Sequence, residues 1–243
     1  MIPYLLLDVG GTLLFPNSGV MREVILECGT DVPEACLRPR MAQYIRRVDE
    51  QLKSDGEADF RFYEWVLREA GVPSTQVPEG IRRLEQRDLE NSLWNETYPW
   101  VPEALAALTT MGYRLSVISN ADGRVEQELN KAGLRQYFDR VFDSHIVGFA
   151  KPDVRLFQHA LAQLGLLAEQ CLYVGDVYHI DVLGANRSGI AAVHLDPYSL
   201  YTGWPGCHIP NVGALSSLLT GTPPRADGGT GVDLQNVEFF PLR

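Results

Sequence analysis

Three short apolar runs in this chain each stop at residues able to do chemistry. Tyr4-Leu5-Leu6-Leu7 runs into Asp8, Arg114-Leu115-Ser116-Val117-Ile118 into Ser119-Asn120, and Cys171-Leu172-Tyr173-Val174 into Gly175-Asp176. Short apolar runs bounded by turn residues read as buried strands of a parallel sheet. In open sheets of that kind, ligands bind outside the carboxyl ends of the strands. The pattern alone therefore brings two carboxylates, a hydroxyl and an amide to one crevice. Any one of these residues could merely end a strand or cap a helix. Their common position at strand ends favours a site.

The elements that must position them follow from periodicity. Residues 102–111, 124–132, 152–164, 180–188 and 212–219 have helical spacing, with Gly112 stopping the first and Asp122 as N-cap of the second. Residues 141–142 with 144–147 form a short strand, and Ala191-Ala192-Val193-His194-Leu195 another. Strands alternating with helices imply a doubly wound α/β fold, a parallel sheet covered on both faces. Between the first strand and the rest lies a stretch rich in Arg, Glu, Leu and Ala, punctuated by Pro33, Pro73 and Pro78. It reads as about four helices inserted into a loop. The expected organisation is a core of residues 1–15 and 94–220, a helical insertion of 16–93, and a loosely ordered tail of 221–243. In that tail only Phe239-Phe240 looks able to dock on the core.

Composition narrows the function. The 243 residues carry a net charge of −10, which argues against nucleic-acid binding but leaves room for a small anionic substrate in a locally positive pocket. Cys28, Cys36, Cys171 and Cys207 form no metal-binding spacing and read as free thiols of a reducing, cytoplasmic compartment. The apolar start has no basic flank and is cut by Asp8 and two glycines, so it reads as neither signal peptide nor membrane span.

Four motifs sharpen the picture. Asp8-Val9-Gly10-Gly11-Thr12-Leu13 resembles the first motif of the haloacid dehalogenase-like superfamily, usually Asp-x-Asp-Gly-Thr-Leu. Val117-Ile118-Ser119-Asn120 resembles the second, Lys151-Pro152 the third, and Gly175-Asp176 with Asp181 the fourth. The resemblance spans the core, and the insertion occupies the place of that family's helical cap. It implies a hydrolase with Asp8 as nucleophile and Mg²⁺ as cofactor. Asp8, the Gly10 carbonyl and Asp176 would hold the cation, and Asp181 would orient the site. Lys151 would balance the charge, while Ser119, Asn120 and Thr12 would meet the transferred group. Lys151 stands out independently, because the chain has only three lysines, at 53, 131 and 151. The implied partner is a small phosphorylated metabolite, with the chain acting as a monomer or homodimer.

One position departs from the motif. Phosphatases of this family carry a second aspartate, a general acid–base, where this chain has Gly10. Such groups are worth on the order of 10²–10⁴-fold. Three readings fit the loss besides a phosphatase with another proton donor, for which Tyr178 and His179 are candidates. A haloacid dehalogenase needs no leaving-group acid and would use an arginine such as Arg38 or Arg40 for its carboxylate. A carbon–phosphorus hydrolase would need an insertion lysine, and Lys53 alone is available. A binding module would have kept the site and lost turnover.

Overall fold

Tyr4–Leu7 (β1) is fully buried and lies at the centre of a six-stranded sheet, as its unbroken run of leucines requires. The computed structural model describes residues 4–220. Two compact units divide the chain, one made of residues 1–13 with 97–243 and the other of residues 14–96. The tail beyond residue 220, with Phe239 and Phe240, lies outside the described residues.

The smaller unit is helical. Its four α-helices are Ser18–Glu27, Leu37–Asp55, Phe62–Glu69 and Val77–Glu90. The Asn17 side chain caps the first by accepting from the Val20 N–H, and Pro78 sits in the first turn of the fourth, where a missing N–H costs nothing. Their apolar faces meet in one core that includes Val24, Ile25, Leu67 and Leu84. The exposed sides carry ion pairs such as Arg83–Glu27 and Arg87–Glu23, which contribute little to stability. Two short antiparallel strands, Phe15–Pro16 (β2) and Trp94–Glu96 (β3), tie the ends of the unit together. Nothing in the sequence suggested this ribbon, because two or three residues cannot display an alternation.

The larger unit continues with Arg114–Ser119 (β4), Val141–Asp143 (β5), Cys171–Gly175 (β6), Ala191–Leu195 (β7) and Cys207–Ile209 (β8). The strand order is β5-β4-β1-β6-β7-β8, and every pairing is parallel. The chain thus builds one half of the sheet outward from β1 and then returns to build the other. A crevice opens at such a reversal, beside the carboxyl end of β1. Helices Trp100–Thr110, Val125–Lys131, Val154–Leu164 and Leu183–Arg187 pack around the sheet. Phe157 and Ala160 of the third join Tyr4, Leu6, Ile118 and Tyr173 in the main core.

Several local expectations need correction. Residues Ser144–Val147 form a helical turn, not a strand, because the Asp143 carboxylate accepts from the His145 N–H and caps it. Asp122 does not cap the next helix. It accepts from the Arg124 N–H in a local turn, and the helix begins at Val125. The helix expected from Ile180 starts earlier, as a wide π-type turn over Tyr178–Val182. Strand β8 was not foreseen, since its three residues carry no periodic signal.

Leu6 and Leu89 test where stability resides, one fully buried in the sheet and the other 82% exposed. Leu6→Ala should destabilise the protein by about 2–5 kcal/mol through lost transfer and cavity formation. Leu89→Ala should stay within about 0.5 kcal/mol in the same urea unfolding experiment.

Candidate active site

The carboxyl ends of β1, β4 and β6 carry the site. Asp8 follows β1, and its backbone N–H still donates to the Val174 carbonyl of β6 at 2.9 Å, so the sheet itself fixes the carboxylate's origin. The chain then turns. The Thr12 and Leu13 N–H groups donate back to the Val9 carbonyl, and Gly11 takes a positive φ of 76°. Only glycine serves at that position. A Cβ on Gly11 would run into the Asp176 carboxylate, so its absence lets the two motifs approach. Gly175 serves the same purpose one strand over, where a Cβ would strike the Asp181 carboxyl.

Lys151 is the hub. Its ammonium is buried and donates to Asp8 Oδ1 at 2.6 Å, Asp181 Oδ1 at 2.7 Å and the Tyr173 hydroxyl at 2.8 Å. Its backbone is fixed just as firmly. The Asn120 amide donates to the Lys151 carbonyl and accepts from the Lys151 N–H, at 2.8 and 2.7 Å. Both ends of the Asn120 side chain are thus spent on the lysine loop. Ser119 ends β4 and is buried. Asp181 also accepts from the Val177 N–H through Oδ2, so both its oxygens are engaged.

Asp176 is arranged differently. Its carbonyl accepts from His194 Nε2–H at 2.9 Å. Burial, with the neighbouring His208, pushes His194 down to about 4, which keeps it neutral near pH 7 and able to hold this donor tautomer. Yet Asp176 Oδ1 is buried with no hydrogen-bond partner, and so is Thr12 Oγ1. Buried polar atoms are normally paired. Carboxylate oxygens of Asp8, Asp176 and Asp181 all lie within 4.8 Å of one another.

The electrostatics follow from that crowding. Burial drives the Asp8 carboxyl up to about 6, outweighing the opposing pull of Lys151. Burial and the charges of Asp8 and Asp181 push Asp176 well above the usual range. Burial alone would lower the Lys151 ammonium, but Asp181 and Asp8 together push it up. Three carboxyl groups share one ammonium, a deficit of positive charge within this cluster. A hard divalent cation with oxygen ligands fits that deficit, the unpartnered Asp176 oxygen and the glycine-made clearance.

Known proteins share this chain's sequence pattern and fold. Residues 2–189 match the family model described as haloacid dehalogenase-like hydrolase. The chain belongs to that family. It is a hydrolase with phosphatases among its relatives. It is 28% identical over 198 residues to a glyceraldehyde 3-phosphate phosphatase of Methanopyrus kandleri, covering 80% of this chain and 84% of the relative. To a 5'-nucleotidase of Pseudomonas aeruginosa it is 26% identical, with coverages of 79% and 81%. The magnesium-bound HAD-hydrolase YfnB of Bacillus subtilis shares the fold, with a TM-score of 0.65 at 18% identity over 89% of this chain and 97% of that one. Among the described residues, no helix is long and apolar enough to cross a membrane.

Asp8, Lys151 and the Asp176–Asp181 pair do converge, from three separate stretches of sequence. Tyr178, considered as a proton donor, points elsewhere, since its hydroxyl donates to the Pro205 carbonyl. His179 packs edge-on against Trp204 and Tyr178. Sequence reasoning missed Tyr173 and His194, which it took for ordinary strand residues. The available signal was a polar atom in each of two otherwise apolar buried strands.

Asp176 supplies a test of the charge imbalance. Its carboxyl is raised in the folded state, so the native protein binds more protons than the unfolded chain above the ordinary value of 3.8, and stability falls as pH rises through that window. Asp176→Asn removes the ionisable group. Its melting temperature without divalent cation should exceed that of wild type at pH 7, with the gap closing toward pH 4. His194 titrates with the opposite sign in part of this range, but it is common to both proteins and cancels. Added Mg²⁺ should raise the wild-type melting temperature and leave the variant's nearly unchanged.

Proposed function

We propose that this chain is a Mg²⁺-dependent phosphate-ester hydrolase acting on a small phosphorylated metabolite through an aspartyl-phosphate on Asp8. The observation carrying this reading is the Asp8 carboxylate, gripped by a buried ammonium at 2.6 Å and grouped with two further carboxylates of which one has an unused oxygen.

Asp8, the Gly10 carbonyl and Asp176 would hold the cation. When bound, Mg²⁺ supplies positive charge that shields the nucleophile from an anionic substrate and stabilises charge on the transferred group. The protein does the rest. Asp8 attacks phosphorus and the alcohol leaves, after which water cleaves the aspartyl-phosphate and regenerates the carboxylate. Lys151 aims Asp8 and pulls its carboxyl down against burial, which leaves it at about 6 and mostly ionised at neutral pH. Asp181 braces Lys151 from behind. The Thr12 hydroxyl, buried without a partner, is free to donate to a phosphoryl oxygen, and Ser119 with the Asn120 N–H completes that cradle. The helical unit, residues 14–96, is proposed to act as the substrate-selecting cap. Reduced, free cysteines at all four positions suit a cytoplasmic enzyme.

Gly10 has no proton to give, so the leaving oxygen must depart on its own acidity or take a proton from water. Turnover should therefore favour acidic leaving groups. The three clustered carboxylates weigh against the dehalogenase reading, which has no use for a cation site.

Two substitutions test the mechanism by phosphate release in Mg²⁺. Asp8→Asn should bring hydrolysis of p-nitrophenyl phosphate to background. Gly10→Asp should raise turnover of an alkyl phosphate at least about tenfold by restoring an acid beside the leaving oxygen. No gain would mean that proton transfer is not the limiting defect.

A further inference from the structure

Tyr173 is a polar residue in the middle of a buried strand. It pairs with Leu6 of β1 on one side and Ala192 of β7 on the other, and it is fully inaccessible. Packing does not require its hydroxyl. The ring sits edge-on to Phe157 with centroids 5.3 Å apart, and phenylalanine would fill the same space. Burying a hydroxyl costs free energy unless hydrogen bonds replace its water. Here they do, and they involve three separate catalytic segments. The oxygen lies 2.8 Å from Lys151 Nζ, 3.0 Å from Asp181 Oδ1 and 3.1 Å from the Ile118 carbonyl, the residue before Ser119.

The donor count decides what the hydroxyl does. A lysine ammonium has three N–H donors and no acceptor. Lys151 directs one to Asp8, one to Asp181 and the third to Tyr173. The tyrosine oxygen therefore accepts from Lys151, and its single proton goes to Asp181 or to the Ile118 carbonyl. Burial and the surrounding carboxylates hold the phenol far above its usual range, so that proton stays in place. Without the hydroxyl, a buried N–H would have no acceptor, and the flexible four-carbon stem would be free to rotate the ammonium off its line to Asp8.

We infer that Tyr173 is a positioning residue for this active site: its hydroxyl takes the third donor of Lys151 and so aims the ammonium at the Asp8 carboxylate. The inference rests on the hydrolase reading for its kinetic consequence but not for its structural one. Tyr173 meets neither substrate nor the reacting atoms in this role. Its loss acts on the chemical step through Lys151, not on substrate affinity.

The experiment uses the full chain labelled with ¹⁵N at the lysine side chains, which gives three Nζ signals in all. In wild type, one signal should be protected from solvent exchange and show a cross-peak to Tyr173 ring protons. In Tyr173→Phe, that signal should exchange at least about tenfold faster, and kcat for p-nitrophenyl phosphate should fall at least about tenfold with KM within about twofold. An unprotected Lys151 signal in wild type, or exchange unchanged in the variant, would overturn the inference. So would an equal change in KM alone with kcat retained. The wild-type cross-peak decides the matter even if the variant does not fold. If wild type hydrolyses no phosphate ester, the hydrolase reading fails by itself, and the exchange measurement still tests the aim of Lys151.

Discussion

Everything in this site depends on placing one ammonium group where water cannot reach it. Isolating a charge from solvent is costly unless counter-charges and hydrogen bonds replace the hydration it loses. Lys151 receives both, from Asp8, Asp181 and Tyr173 through its side chain and from Asn120 through its backbone. Three of those residues sit at strand ends or turns and Tyr173 lies within β6, so the fold must be complete before the ammonium is accommodated. The same arrangement leaves more carboxyl groups than cations. A protein built only for stability would not retain Asp176 with a bare buried oxygen. Retaining it makes sense when a metal ion completes the balance.

Glycine does as much for this geometry as the charged residues do. Gly11 and Gly175 have no side chains because carboxylates already occupy those volumes. The acidic residues can crowd within 4.8 Å only because the backbone opposite them is bare. Gly10 is a different case. The bare position at its neighbour Gly11 is enforced by Asp176, whereas Gly10 departs from the family motif, where an aspartate is usual.

Much of this was legible in the sequence, for reasons of pattern strength. Buried parallel strands announce themselves as apolar runs, and Asp8, Ser119 and Asp176 are legible because each ends such a run. Lys151 stands out by rarity and by its motif. What stayed hidden was local or relational. Ser144–Val147 has the composition of a strand, and only the Asp143 cap turns it into a helix. Strands β2, β3 and β8 are too short to show a period. Tyr173 and His194 looked like core residues because a sequence does not reveal where a buried polar atom finds its partner. The Asn120 side chain is hidden in the same way, because both of its ends hold the lysine loop, a contact between distant segments that no spacing displays.

The placement of β1 also shapes how the molecule is assembled. This central strand bonds to β4 and β6, so Tyr4 finds its partners at Arg114 and Cys171. A whole helical unit intervenes before the first of these contacts. Closing such long loops is entropically costly before any contact rewards it, and distant pairings slow folding. During synthesis, the leucine run ending at Asp8 would emerge before either partner strand and wait, unpaired, until both have followed. The helical unit has a core of its own, while the buried leucine strand stays exposed to mispairing in that interval.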